Sequence, residues 1–159
     1  MTFKYQEYID ELLAQGLKMP ELHSPDGINA YRFVFSGDNV NNHKPVCIQN
    51  PSRRLPDNER FSGYALSCFN NQEKAERRYS SLCKSFKRTP KVIGDSLCGG
   101  IIENDDGMIT LPDLASGHFD LPQFRNPTNS LRPLRSKPPR MRFLLFKQAF
   151  CHILTDMSA

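Results

Sequence analysis

The sequence predicts one α+β domain with a small, mostly antiparallel sheet, two or three flanking helices and a basic C-terminal extension. The length of 159 residues suits a single domain, since domains usually hold about 100–200 residues. Short strand-like runs alternate with amphipathic stretches of helical period. Residues 1–120 hold 14 Lys or Arg and 16 Asp or Glu, whereas residues 121–159 hold seven basic side chains and one acid. We therefore expect a globular part over residues 1–121 and a different segment after it.

The first elements are a helix, two strands and a loop. Apolar side chains at helical spacing form one stripe over residues 3–15, and Gly16 suits the left-handed position after the last turn. Residues 30–35 alternate their side chains with the period of a strand. The short apolar run at 46–49 predicts a second strand, and the polar stretch 50–63 predicts a long surface loop.

A strand that leads directly into a helix is predicted next. The strand covers residues 64–69. Asn70 is a suitable N-cap for the helix, and Glu73 stands three residues later at the spacing of a capping box. Because a proline disfavours helical backbone at the residue before it, the pair Thr89-Pro90 is expected to end this helix.

The last part of the globular region is expected to add strands. Residues 96–102 form an apolar run, and the turn residues 104–107 predict a hairpin that returns over residues 108–111. One more short strand is predicted at 117–121. Strands therefore dominate this region.

Two further segments follow the globular part. Residues 122–140 are basic and rich in proline, which predicts an irregular linker. Residues 141–159 include a stretch that would be apolar nearly all round as a helix, so we predict a C-terminal helix that is buried or docked on a partner. That partner is another protein or a second copy of this chain.

Composition excludes several classes of protein. No apolar run of about 18 residues is free of charge, so no membrane span is expected. The N-terminus has no apolar segment of the secretory type. Five cysteines without a C-x-x-C pair fit neither a disulfide framework nor a zinc site. We therefore expect reduced thiols, a cytoplasmic location and no metal.

Five residues are candidates for a ligand-binding or catalytic site. Arg32 in mid-strand could hold a phosphate, with a solvent-facing arginine as the alternative. Tyr64 could stack on a flat ring, and Ser67 lies just before a helix N-terminus, which favours anions. His118 and Asp120 share one face of a strand, where the carboxylate could orient the imidazole for acid–base work. Ordinary structural roles remain open for each of the five.

The order of these elements resembles ADP-ribosyltransferase-type proteins. The likeness covers residues 28–86 and rests on a strand with Tyr31-Arg32, a strand with Tyr64-Ala65-Leu66-Ser67 and a helix with Ala75. It implies an NAD- or nucleotide-type ligand, with Arg32 on the phosphates, Tyr64 stacking and Ser67 placing the ribose. The late strands show no recognisable motif for the glutamate that this family often carries. Small phage and bacterial conflict proteins often have reduced forms of this kind.

The alternative function is that of a non-catalytic regulatory protein. In this hypothesis the terminal helix contacts a protein partner, while Arg53, Arg54, Arg60 and the basic arm contact nucleic acid. The aromatic signature of an RNA-recognition domain is missing from the sequence. Convergence of the candidate residues on one cleft would favour the nucleotide hypothesis, and their dispersal over different faces would favour the regulatory one.

Overall fold

The computed structural model describes residues 2–125 and 144–146 of the chain. The described strands form one five-stranded antiparallel sheet with the order β4-β2-β1-β3-β5. Their bounds are β1 Ile28–Val34, β2 Leu66–Phe69, β3 Ser96–Ile102, β4 His118–Leu121 and β5 Leu144–Phe146. An antiparallel sheet accompanied by helices is the predicted α+β class, which is confirmed.

Four helices and three 3₁₀ turns accompany the sheet in the described part of the chain. The helices are α1 Gln6–Ala14, α2 Val46–Gln49, α3 Gln72–Ser85 and α4 Thr89–Ile93, and the turns are Val40–His43, Asp57–Glu59 and Ser62–Tyr64. The predicted helix at 3–15 and the predicted helix after Asn70 correspond to α1 and α3. The pair Thr89-Pro90 begins α4, because proline suits the first turn of a helix. Among the described residues, no helix is both long and apolar enough to cross a bilayer.

One face of the sheet carries the hydrophobic core. Alternation along β4 buries Phe119 and Leu121 on this face and turns His118 and Asp120 to the other face. The chain outside the strands adds Ile109 to the core. The core residues are Ala30, Leu66, Cys68, Ile102, Ile109, Phe119 and Leu121. The core therefore fixes which face of β4 is polar.

Helix α3 packs against β1 and β2 through aromatic rings. The ring of Phe33 lies 5.4 Å from that of Phe69 and 5.2 Å from that of Tyr79. The Tyr79 hydroxyl donates a hydrogen bond of 2.9 Å to the carbonyl oxygen of Gly94. These contacts hold α3 beside the residues that precede β3.

The central strand β1 pairs unequally with its two neighbours. It pairs with β3 along its whole length, from Ile28↔Ile102 to Val34↔Ser96. Within the described residues, it pairs with β2 at Tyr31↔Phe69 alone. Beside that pair, the Arg32 side chain connects the two strands through a hydrogen bond of 3.0 Å to the carbonyl oxygen of Ser67.

The segment predicted as a second strand, residues 46–49, is the helix α2 instead. Pro45 occupies the N-cap, and its carbonyl oxygen accepts hydrogen bonds from the backbone N–H groups of Ile48 and Gln49 at 3.1 and 3.0 Å. A four-residue apolar run carries no periodicity that separates a strand from a helical turn. The preceding proline was the signal for a helix start.

Residues 108–111 do not return as the hairpin partner of β3. The edges of β3 are taken by β1 and, at residues 97–99, by β5. Ile109 instead bridges to His23, and the backbone N–H of Thr110 donates to the carbonyl oxygen of Asp120 at 3.0 Å. The turn therefore sends the chain toward β4 rather than back along β3.

Helix α3 is capped by Asn71 rather than by Asn70. The Asn71 side chain accepts a hydrogen bond of 2.9 Å from the backbone N–H of Lys74. The backbone N–H of Asn70 donates to the carbonyl oxygen of Gly117 at 2.9 Å, which extends the contact between β2 and β4. Because Asn70 still belongs to the sheet, the helix begins one residue later than the capping-box spacing predicts.

The predicted linker and terminal helix, residues 122–159, are only partly described. Residues 122–125 continue the fold, since the rings of Phe3 and Phe124 stack at 5.4 Å and the backbone N–H of Arg125 donates to the carbonyl oxygen of Thr2. Leu144–Phe146, predicted as helix, form strand β5 against β3. An apolar run suits a paired strand as well as a buried helix, so periodicity alone could not separate them. The rest of the predicted linker and terminal helix lies outside the described residues.

The cap assignment can be tested by two neighbouring substitutions. Asn71→Ala is expected to lower the free energy of unfolding by roughly 0.5–2 kcal/mol, because it leaves a backbone N–H of the first turn without its acceptor. Asn70→Ala is the matched control and should stay within about 0.5 kcal/mol of the parent. Urea denaturation followed by circular dichroism measures both. A larger loss for Asn70→Ala would place the cap at Asn70.

Candidate functional site

Two pockets share the helix α2 and the 3₁₀ turn Ser62–Tyr64 as parts of their walls. The first, which we call the serine cleft, has a volume of about 150 Å³. It is lined by Arg32, Phe33, Phe35, Asn41, Asn42, Val46, Gln49, Ser62, Ala65, Ser67, Val92 and Ile93. The second, the arginine pocket, has a volume of about 340 Å³ and is lined by Cys47, Pro51, Arg53, Arg54, Leu55, Asp57, Arg60 and Tyr64.

Gly63 lies where the 3₁₀ turn Ser62–Tyr64 packs against α2, between the two pockets. A Cβ atom placed on Gly63 would lie 2.5 Å from Cys47 Sγ and 2.9 Å from Leu55 Cδ1, both closer than van der Waals contact permits. Gly63 therefore lets α2 and the turn approach each other closely. On either side of Gly63, Ser62 lines the serine cleft and Tyr64 lines the arginine pocket.

Arg32 binds the backbone of three separate segments. Its Nε donates to the carbonyl oxygen of Asn42 at 3.2 Å, its Nη1 to that of Ser67 at 3.0 Å and its Nη2 to that of Lys44 at 3.3 Å. The Ser67 contact connects β1 to β2, which share one ladder pair in the described residues. Arg32 is thus neither a solvent-facing arginine nor a guanidinium whose donors are all available to a phosphate.

The Arg32 side chain lies between two thiols of the sheet. Cys98 is its register partner on β3, and Cys68 lies on the neighbouring strand β2. Burial lowers the pKa of the Arg32 guanidinium, while it raises the pKa of Cys68 and of Cys98 to about 12. Both thiols are therefore neutral near pH 7. No carboxylate forms an ion pair with Arg32 within residues 2–125, so its charge is balanced by carbonyl dipoles alone.

A chain of polar contacts connects β4 to two serines of the serine cleft. Ser67 Oγ lies 2.7 Å from His118 Nε2, and the Ser62 hydroxyl donates to Asp120 Oδ2 at 2.5 Å. His118 Nε2 and Asp120 Oδ1 are 3.9 Å apart, with side chains 38% and 14% exposed. The register Ser67↔Asp120 places all these groups on the polar face of the sheet. Each of the two cleft serines therefore contacts one titratable side chain of β4, Ser67 that of His118 and Ser62 that of Asp120.

Tyr64 lies away from the other candidate residues. Its ring stacks on that of Tyr8 of α1, with centroids 4.9 Å apart and planes 12° apart, and it lines the arginine pocket. Arg32 and Ser67 line the serine cleft, and His118 and Asp120 contact the cleft serines from β4. The five candidates therefore divide between two pockets rather than converge on one.

The arginines that the sequence groups in the loop 50–63 meet in one pocket. Arg53, Arg54 and Arg60 all line the arginine pocket. Of the described residues that line it, Asp57 alone is acidic, and its Oδ1 lies 3.8 Å from Arg60 Nη1. The pocket lining therefore carries a net positive charge, and the Tyr64 side chain forms part of the same lining.

Two site residues escape sequence reasoning. Ser62 stands in the stretch predicted as an irregular loop, and no spacing links it to Asp120. Gln49 belongs to the segment predicted as a strand, and its Nε2 donates to the carbonyl oxygens of Asn41 and Lys44 at 3.1 and 2.7 Å. Both depend on contacts between segments distant in sequence, for which the sequence carries no local signal.

Comparison with protein-family models, with curated proteins and with solved structures found no match to this chain. Across the described residues, no three His, Cys, Asp or Glu side chains gather in an arrangement that could hold a metal ion.

The three Arg32 hydrogen bonds should be essential to stability. Arg32→Lys keeps the charge, but one ammonium group cannot reach three carbonyl oxygens in a fork geometry. The carbonyl oxygen of Lys44 keeps its donor in Gln49 Nε2, but those of Asn42 and Ser67 lose the Arg32 donor. An unsatisfied carbonyl costs roughly 1–3 kcal/mol when buried, so the free energy of unfolding should fall by about 1 kcal/mol or more. Arg78→Lys on the exposed face of α3 is the control and should stay within about 0.5 kcal/mol. Equal stability of the two variants, measured by urea denaturation, would show that Arg32 does not hold these segments together.

Close packing at Gly63 predicts a coupled pair of substitutions. Gly63→Ala should cost roughly 1–3 kcal/mol of stability, because the added methyl group meets Cys47 Sγ and Leu55. In a Cys47→Ala background the same change should cost less, since the sulfur is gone. Thermal or urea denaturation of the two single variants and the double variant gives the coupling free energy. Additive effects would mean that Gly63 and Cys47 are not in tight contact.

Proposed function

We propose that this protein binds NAD or a related nucleotide, and that the arginine pocket holds the phosphates. One observation carries the proposal: three guanidinium groups and a tyrosine line a single pocket of about 340 Å³ with one carboxylate. Guanidinium groups bind phosphate oxygens in pairs, which gives both charge and geometry. The proposal keeps the ligand class implied by the ADP-ribosyltransferase resemblance but not its site. Because the five candidates do not converge on one cleft, Tyr64 is the one candidate kept for the nucleotide, and the phosphates are assigned to Arg53, Arg54 and Arg60 instead of Arg32.

Size favours the arginine pocket over the serine cleft. Pockets for small molecules usually measure about 300–1,000 Å³. The arginine pocket reaches that range at about 340 Å³, whereas the serine cleft has about 150 Å³. A nucleotide therefore fits the first pocket better. Arg32 lines the smaller cleft, and three of its donors are already bound to carbonyl oxygens.

Tyr64 supports a ligand that has an aromatic ring beside its phosphates. The stack on Tyr8 fixes the orientation of the Tyr64 ring at the pocket wall. A fixed aromatic wall favours binding of a flat base, because little side-chain entropy is lost when the base is bound. Burial raises the pKa of Tyr64, so its hydroxyl stays protonated and can donate to a phosphate or ribose oxygen. Cys47, Cys68 and Cys98 are free thiols, which supports the cytoplasm as the place where the protein meets such ligands.

The second candidate function uses the same arginines. A single-stranded nucleic acid also presents phosphates and flat bases, and it would use Arg53, Arg54, Arg60 and Tyr64 together with the basic arm. The net charge of +4 is the sum of −2 over residues 1–120 and +6 over residues 121–159, and this basic arm supports the regulatory hypothesis. A mononucleotide fills one pocket, so under the nucleotide hypothesis a longer ligand should bind no more tightly. Under the nucleic-acid hypothesis, affinity should rise with each added phosphate. The dependence of affinity on ligand length therefore distinguishes the two hypotheses.

Binding can be measured by isothermal titration calorimetry with NAD, ADP and ATP. The double variant Arg53→Ala with Arg54→Ala, and the single variant Arg60→Ala, should each weaken nucleotide binding about 10-fold or more, because a charge-assisted hydrogen bond contributes roughly 1.5–3 kcal/mol. The matched control is Arg77→Ala on α3, which removes an exposed arginine paired with Glu73 at 3.4 Å. This control should leave the affinity unchanged.

Two results would contradict the proposal. One is the absence of any nucleotide binding at millimolar concentration, and the other is an equal affinity for the parent and the Arg53/Arg54 double variant. Binding of a single-stranded oligonucleotide without binding of mononucleotides would select the regulatory hypothesis. In that case the affinity should fall steeply as salt is raised, since counterions are released from the strand.

A further inference from the structure

We propose that Ser67 is a nucleophile activated by His118, and that the serine cleft binds a short-chain acyl ester. This activity lies in a different pocket from the nucleotide and does not depend on it. Ser67 is exposed at the cleft wall, and its Oγ lies 2.7 Å from His118 Nε2. That distance is the hydrogen-bond reach that a serine nucleophile needs from its general base.

The carboxylate of Asp120 stabilises the charge that this step creates. When Nε2 of His118 accepts the serine proton, the imidazole becomes positive with Asp120 Oδ1 3.9 Å away. Asp120 is only 14% exposed, so solvent screens this attraction less than at a free surface. The arrangement differs from a Ser-His-Asp triad, because the carboxylate faces the same ring nitrogen as the serine. Ser62 holds the other carboxylate oxygen in place.

Arg32 supplies positive charge beside the nucleophile. Its Nη1 donates to the carbonyl oxygen of Ser67 itself at 3.0 Å. No carboxylate neutralises this guanidinium in the described part of the chain. Arg32 and Ser67 line the same cleft, and a cation in the cleft favours the oxyanion that forms when an ester carbonyl is attacked. Arg32 acts here through its charge and as a positioning residue for the Ser67 backbone.

The cleft selects a small and partly apolar acyl group. Phe33, Phe35, Val46, Val92 and Ile93 form its apolar wall. Its volume of about 150 Å³ equals roughly five water molecules at about 30 Å³ each. An acetyl to butyryl group fits inside this space, whereas a longer acyl chain would extend beyond it. Substrates of this class combine such an acyl group with an alcohol that stays outside the cleft.

The reaction balances with water as the only co-reactant. Ser67 Oγ forms a bond to the acyl carbon while its proton moves to His118 Nε2. The ester C–O bond then breaks, and the departing alkoxide takes that proton to leave as the alcohol. Water, activated by the same imidazole, next attacks the acyl-serine and releases the carboxylic acid, which restores Ser67 and His118.

The full chain can be tested with a small fluorophosphonate probe and peptide mass spectrometry. In this test Ser67 Oγ forms a bond to phosphorus, fluoride leaves and His118 takes the proton, so a stable adduct marks the nucleophile. We expect the adduct on Ser67, its loss in Ser67→Ala, and labelling at least about 100-fold slower in His118→Gln. Ser85→Ala is the matched control, because Ser85 is exposed on α3 and its Oγ bonds to the carbonyl oxygen of Ser81. This variant should label at the parental rate.

Thermal melting of each variant separates loss of the nucleophile from loss of the fold, since Ser67 and His118 lie at the surface. A folded His118→Gln variant that labels at the parental rate would overturn the proposal, as would an adduct on another serine.

The length of the acyl chain tests whether the acyl group binds in the serine cleft. Release of nitrophenolate from p-nitrophenyl acetate should be faster than from the octanoate ester. The opposite order would show that the acyl group does not bind in the serine cleft.

Discussion

The three hydrogen bonds from Arg32 to backbone carbonyl oxygens connect parts of the chain that the β-ladder does not connect. β1 and β2 pair at one described position, and the Arg32 bond to the Ser67 carbonyl joins them beyond it. The bonds to Asn42 and Lys44 fix the segment that leads into α2. Because α2 forms a wall of both pockets, the two pockets depend on one guanidinium. An apolar side chain at this position would remove the Arg32 donor from the carbonyl oxygens of Asn42 and Ser67, whereas that of Lys44 would keep its hydrogen bond from Gln49 Nε2 at 2.7 Å.

The environment of Arg32 explains why its charge persists inside the sheet. A buried cation usually requires a carboxylate partner, because desolvation of an isolated charge is costly. Here three carbonyl dipoles replace that partner, and the flanking thiols of Cys68 and Cys98 are too weakly acidic to do so. Within the described residues the guanidinium has no ion-pair partner, and Arg32 lines the serine cleft.

Sequence reasoning succeeds where periodicity is long and local. The stripe of α1, the alternation in β1 and the amphipathic α3 each span enough residues to show their period, and each element is present. It fails where an element is too short for a period, as in α2, or where a partner is distant, as in the pairing of Ile109 with His23. The candidate site follows the same division. The shared face of His118 and Asp120 is visible in the sequence, whereas the carbonyl partners of Arg32 and the Ser62 contact are tertiary.

The Ser67–His118 contact follows from the register of β2 and β4, and the hydrophobic core sets that register. Leu66 and Cys68 on β2 and Phe119 and Leu121 on β4 are all nearly fully buried. A slip of one residue would turn these four side chains to the polar face and would remove Ser67 and His118 from each other. Each fully buried Leu- or Phe-sized side chain contributes about 1.5–3 kcal/mol, which far exceeds what one surface hydrogen bond can offset. The Ser67–His118 pair is therefore positioned by apolar residues that do not line the serine cleft themselves. A substitution that weakens the core between β2 and β4 would disturb the Ser67–His118 hydrogen bond before it unfolds the sheet.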